Sequence, residues 1–274
     1  MEDTQNCRNC DRVIDVPGQK FCPNCGQATP TRRIDWRFLG HELEHSVLHM
    51  DRGVLYTLKR LMLRPGHLIR DYLDGRREGI VKPLLLLMMS AAALVLLSHY
   101  LLSGDIVGSS LTDGIRETFA DNDDPTGKGA ELLKAFEYTK KWFNEHITLV
   151  TLVILPLEAV ALQLAFLGVR KFNYPEWLVI TAFLTAQMFV VWCISVPFQR
   201  LSPDVQPVML LLAIAYNLFS VVQLFKTYGY PRWKSVLRGL AGFGALQIVV
   251  GGLSFVVAVV LVVLVASGKI QLPG

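Results

Sequence analysis

Four cysteines stand in the first 25 residues as Cys7-x2-Cys10 and Cys22-x2-Cys25. Each pair can close a tight turn that aims two sulfurs at one ion, and Zn²⁺ takes four thiolates tetrahedrally at about 2.3 Å. In Phe21-Cys22-Pro23-Asn24-Cys25-Gly26, Pro23 pre-sets the turn and Gly26 permits a positive φ after the second ligand. The first pair has Asp11 at the matching place. The first 20 residues hold no apolar signal segment, so thiols at this spacing read as metal ligands in a reducing compartment, not as disulfides. With every ligand supplied by protein the zinc is structural. It supplies the stability that a ribbon of about 27 residues cannot draw from apolar burial. Cys193 falls inside an apolar run and reads as a small buried hydrophobe.

His41-Glu42-Leu43-Glu44-His45 matches H-E-x-x-H, in which two histidines one turn apart chelate a catalytic zinc and the glutamate acts as general base. His41, Glu42 and His45 are therefore candidates for a membrane-bound zinc peptidase. A third protein ligand is missing: His49 lies about 12 Å along the helix axis from His41, and Asp51 or His67 reach the pair only if the chain folds back. A polar helix face, or non-catalytic metal or anion binding, explains the same residues. Glu158, in Leu155-Pro156-Leu157-Glu158, is a carboxylate in an apolar run, and Gln187 and Asn217 occur at similar depth in theirs. Such residues mark a solute path, here a small transporter, or serve as interhelical hydrogen bonds.

The elements that hold these residues follow from composition. The 274 residues are 52% hydrophobic and 18% charged, against about 25% charged in an average soluble domain. A soluble globule, a disordered chain, a collagen and a disulfide-rich secreted module are excluded. The expected fold is an all-α membrane protein, a five-span helical bundle with amphipathic juxtamembrane helices and a small N-terminal zinc ribbon. Runs of roughly 20 apolar residues place the spans at 83–103, 147–168, 178–199, 206–225 and 240–266. The ribbon is 1–27, the linker and juxtamembrane helices 28–82, and the membrane domain 83–274. Asp35 is set to cap a helix over 36–50. A second helix over 53–63 is broken by Arg64-Pro65-Gly66, and a third, 67–74, ends near Gly75.

Charge then orients the chain. Arg52 to Lys82 holds eight bases against three acids, directly before the first span, and loops 169–177 and 226–239 are also basic. The connection 104–146 has nine acids and five bases, with an amphipathic stretch at 128–146. The positive-inside bias puts the N-terminus in the cytosol and, with five spans, the C-terminus on the extracytoplasmic side.

Phe21-Cys22-Pro23-Asn24-Cys25-Gly26-Gln27, His45 with His49-Met50-Asp51-Arg52-Gly53, Leu55-Tyr56-Thr57-Leu58-Lys59, and Arg64-Pro65-Gly66 running through Ile69-Arg70, Tyr72, Gly75 and Arg77 to Lys82-Pro83 together resemble an uncharacterised bacterial membrane-protein family, domain of unknown function 3667. The resemblance covers about residues 20–85. It implies a zinc ribbon, a polar juxtamembrane motif and several spans in a bacterial inner membrane, and brings no activity with it. Where the family favours an aromatic before the Lys-Pro pair, this chain has Ile80-Val81. Within the stretch, Arg64, Arg70, Arg76 and Arg77 suit bidentate contact with phosphate. Their place beside a membrane span favours lipid over nucleic acid. The expected role is regulatory or scaffolding, with anionic lipid, or a protein held by the ribbon, as the partner.

Overall fold

The computed structural model describes residues 5–14, 18–40, 53–106, 128–169, 172–200, 202 and 205–266. His41, Glu42, His45 and His49 lie outside the described residues, as do 107–127 of the 104–146 connection and the C-terminal end.

Strands β1 (Gln5–Asn6) and β2 (Val13–Ile14) pair antiparallel, Gln5 opposite Ile14 and Asn6 opposite Val13, around the first cysteine pair. Residues 36–40 are helical, and Asp35 Oδ1 accepts the backbone N–H of Phe38 at 2.7 Å, the cap expected from the sequence. Helices α1 (Val54–Leu63) and α2 (Pro65–Leu73) follow, joined at Arg64. The break falls at one residue because Pro65 takes the first helical position, where its missing N–H costs nothing.

Among the described residues, five helices are long and apolar enough to cross a membrane, with apolar spans at Pro83–Leu102, Phe136–Ala165, Tyr174–Gln199, Pro207–Thr227 and Arg232–Leu253. The chain is a membrane protein. α3 (Pro83–Leu102) starts on Pro83 and stops at Ser103 and Gly104, both at positive φ. α4 (Lys128–Ala165) is kinked at His146 (φ −114°, ψ 19°), where the amphipathic stretch gives way to the apolar one. α5 (Tyr174–Gln199) begins with a capping box: Asn173 accepts the Glu176 N–H and Glu176 accepts the Asn173 N–H, each at 2.8 Å. It therefore starts four residues before the expected 178. α6 (Val205–Thr227) and α7 (Arg232–Ala266) complete the bundle. α7 starts well before residue 240, because Lys234 and Arg238 occupy its first two turns while Leu237 and Leu240 continue its apolar side.

α4, α5, α6 and α7 each pack on the next to close a ring, and α3 lies along α5, which is the most enclosed helix. Phe166, Trp177, Phe172 and Phe225 stack at the end of the ring where α5 begins. α2 is part of this core: Leu68, Ile69 and Tyr72 are fully buried, and the Tyr72 ring meets Phe183 edge-on. α1 is not. Leu55 is 81% and Leu63 66% exposed, so of the two juxtamembrane helices only α1 has the surface character of an interfacial helix.

Gly66 explains the close seating of α2. A Cβ there would lie 2.3 Å from the Leu224 backbone nitrogen, while the Gly66 N–H is bonded to Gln223 Oε1 at 2.8 Å. Gly66→Ala is expected to push α2 off α6 and cost about 1–3 kcal/mol, read as a lowered thermal midpoint of the detergent-purified protein.

Candidate functional site

The two cysteine pairs build the same turn twice. The Asp11 N–H bonds to the Cys7 carbonyl and the Cys7 N–H to the Arg12 carbonyl; the Gly26 N–H bonds to the Cys22 carbonyl and the Cys22 N–H to the Gln27 carbonyl. Asp11 (φ 58°) and Gly26 (φ 81°) take the same left-handed conformation at matching positions. The departure seen in the sequence is thus one of side chain, not of backbone.

The turns interleave. Cys7 Sγ lies 3.6 Å from Cys25 Sγ, Cys10 Sγ lies 3.6 Å from Cys22 Sγ, and all four sulfurs are within 4.8 Å of one another. A tetrahedral centre with bonds of about 2.3 Å has sulfur–sulfur edges of about 3.8 Å, whereas a disulfide needs about 2.05 Å. The cluster can hold a metal ion, and its donor set and spacing fit one. Its protonation is uneven without a cation. A hydrogen bond from the Asn24 side chain pulls Cys10 down to about 6, while burial pushes Cys25 up to about 11. A divalent cation offsets the repulsion among four thiolates and removes this conflict.

The cluster is fastened to the bundle by its own neighbours. Gln27, buried two residues after Cys25, accepts the backbone N–H groups of Arg77 (3.2 Å) and Glu78 (3.0 Å) through Oε1. Arg33 makes a bidentate pair with Glu176 (2.7 and 2.8 Å), and Asn173 Nδ2 donates to the Ile34 carbonyl at 2.7 Å. The loop after α2 and the first turn of α5 therefore form the seat of the ribbon. Gln27 closes the Phe21–Gln27 motif, whereas nothing in the sequence marks Arg33 and Glu176 as partners. The capping signature Asn173-x-x-Glu176 was there to be read, but its third partner lies 143 residues away.

The four candidate arginines divide. Arg64 and Arg76 are exposed. Arg70 and Arg60 both hold the buried Asp71, at 2.9 and 2.6 Å. Arg77 turns inward: it donates to the carbonyls of Tyr72 and Arg32, both at 3.2 Å, and its guanidinium lies 4.2 Å from the Phe38 ring centre. Burial opposes the charge on Asp71, but hydrogen bonds from Arg60 and Arg70 outweigh it and hold the carboxyl below its ordinary value.

Inside the ring, Glu158 accepts a hydrogen bond from Thr185 (3.1 Å), and Gln187 Oε1 accepts one from Ser220 (2.9 Å). Thr185 and Gln187 are two residues apart on α5, about 200° around it, so the two pairs face different neighbours. Asn217 is buried one turn before Ser220.

Residues 51–95 match the family described as a protein of unknown function, DUF3667. The match covers α1, α2, the following loop and about two thirds of α3; it bears out the similarity read from the motifs from residue 51 to about 85 and does not reach the cysteines. No curated protein and no solved structure matches the chain.

Two outcomes follow from this geometry. Asp11→Gly relieves a non-glycine left-handed residue and is expected to stabilise the metal-loaded ribbon by about 1 kcal/mol, read as a higher chelator concentration at half-release of metal. The lowered folded pKa of Asp71 means that its contribution is complete above the unfolded value of about 3.9 and disappears as pH falls through the folded one. Asp71→Asn should therefore lower the thermal midpoint at pH 7 and flatten its fall between about pH 5 and pH 3.

Proposed function

We propose that the chain is a non-catalytic, regulatory or scaffolding component of a bacterial inner membrane, with a structural zinc in a cytosolic ribbon and a basic collar that engages anionic lipid. The observation that carries this is the closed set of four sulfurs, spaced for a tetrahedral ion and leaving no position for water or substrate.

Its surroundings support the rest. The ribbon sits where α3, α5 and α7 begin and α6 ends, and the same end carries Lys82, Lys226, Arg232, Lys234 and Arg238. A basic end faces the cytosol under the positive-inside bias, which leaves the C-terminus extracytoplasmic. Trp36, Tyr56 and Trp233 are exposed there, as aromatics at a headgroup layer are. The lipid is favoured over a protein partner because the exposed bases, Arg64 and Arg76 among them, lie beside the spans. The pairing of Glu158 with Thr185 and of Gln187 with Ser220 supports interhelical adhesion over a transport path.

Metal counting on the purified full chain tests this reading. One zinc per chain is expected, lost in Cys22→Ser and kept in His45→Ala. Two zincs, the second released by His45→Ala, would replace it with a peptidase built on His41, Glu42 and His45.

A further inference from the structure

Between the ribbon and the juxtamembrane helices lies a cavity of about 640 Å³, within the range of small-molecule sites. One wall is the exit of the ribbon, residues 27–32; the other is the loop 77–82 leading into α3. Among the described residues, Arg32, Arg77 and Lys82 line it with the acid Glu78, and Phe38 and Ile80 give it an apolar side. Lys82 immediately precedes Pro83, the first residue of the first apolar helix. The cavity therefore opens beside the start of the first apolar helix.

Its central cation is already oriented. Arg77 is held through the Tyr72 and Arg32 carbonyls and lies on the Phe38 ring, so little side-chain freedom is lost when a ligand meets it. A guanidinium fixed in this way, with two further bases around it, matches a tetrahedral oxyanion. The apolar side suits the glycerol or the first methylenes attached to one.

We propose that this cavity binds a phosphate-bearing anion, supplied by the headgroup of an anionic phospholipid or by a soluble phosphate ester. Arg32 and Lys82 supply charge and Arg77 the planar donor. The site deepens the lipid-binding reading above and rests on it.

The test uses the full chain in neutral detergent, with its thermal midpoint titrated by phosphatidylglycerol, phosphatidylcholine or glycerol 3-phosphate. Phosphatidylglycerol is expected to raise the midpoint, less so at high salt, and phosphatidylcholine to leave it unchanged. Arg32→Gln and Lys82→Gln should each weaken the apparent affinity about fivefold, and Arg64→Gln and Arg76→Gln, collar bases outside the cavity, should each weaken it by a smaller factor. Arg32→Lys should restore binding, and unchanged zinc content and ligand-free midpoint show that each variant folds. Binding of glycerol 3-phosphate with the same sensitivity assigns the site to a soluble ester; binding of phosphatidylglycerol alone assigns it to a headgroup. Equal weakening by all four glutamine variants would overturn the cavity and leave the basic collar standing. No response to either phosphate probe would overturn both.

Discussion

Glu176 is buried in the first turn of α5, where its carboxylate receives both the backbone N–H of Asn173 and the guanidinium of Arg33. A buried carboxylate without a partner costs several kcal/mol, so the helix start and the linker position are fixed together. α5 is the helix around which the bundle packs, and Arg33 belongs to the segment leaving the ribbon. The polar and apolar parts of the molecule are joined at this pair, with the buried Ile34 and its carbonyl bond to Asn173 completing the joint. Displacing the ribbon would expose Ile34 and strand Glu176 at once.

The same rule, that buried polar groups need partners, is met only in part inside the bundle, where Gln187 Nε2 and Asn217 Oδ1 have none among the described residues. Hydrocarbon offers no water to Glu158 or Gln187, and each finds a hydroxyl on an adjacent helix. Because α5 turns about 200° between Thr185 and Gln187, one pair binds α4 to α5 and the other binds α5 to α6. What looks like a polar layer in a linear reading of depth is two separate adhesions. Depth along a helix is legible in a sequence; azimuth relative to partners is not, until the neighbours are known.

That distinction marks what the sequence discloses. The cysteine spacing contains its own geometry, since both turns are local and need nothing beyond five or six consecutive residues. The five apolar helices are equally local, written in runs of Leu, Val, Ile and Phe. The helix starts at Tyr174 and Arg232 were harder to see because hydropathy ignores polar first turns, though Asn173-Tyr174-Pro175-Glu176 held a capping signature. Arg77 shows the limit. Its position in a basic run suggests a side chain open to phosphate, yet its place is decided by Phe38, Tyr72 and the Arg32 carbonyl, two of which are more than 35 residues away. Similarly, nothing in the sequence around Asp71 indicates that Arg60 rather than solvent would be its companion.

The metal cluster and the neck are mechanically one unit, and the order of dependence can be argued. The Cys22 N–H binds the Gln27 carbonyl, so the second cysteine turn sets the Gln27 backbone. The Gln27 side chain in turn holds the N–H groups of Arg77 and Glu78. A ribbon of this size takes its fold from its metal. An ion held by the four sulfurs would thus steady Gln27 and, through it, the backbone at Arg77 and Glu78. The coupling runs through two consecutive hydrogen-bonded steps. A metal at the four sulfurs would in this way bear on the shape of a cavity that it never touches.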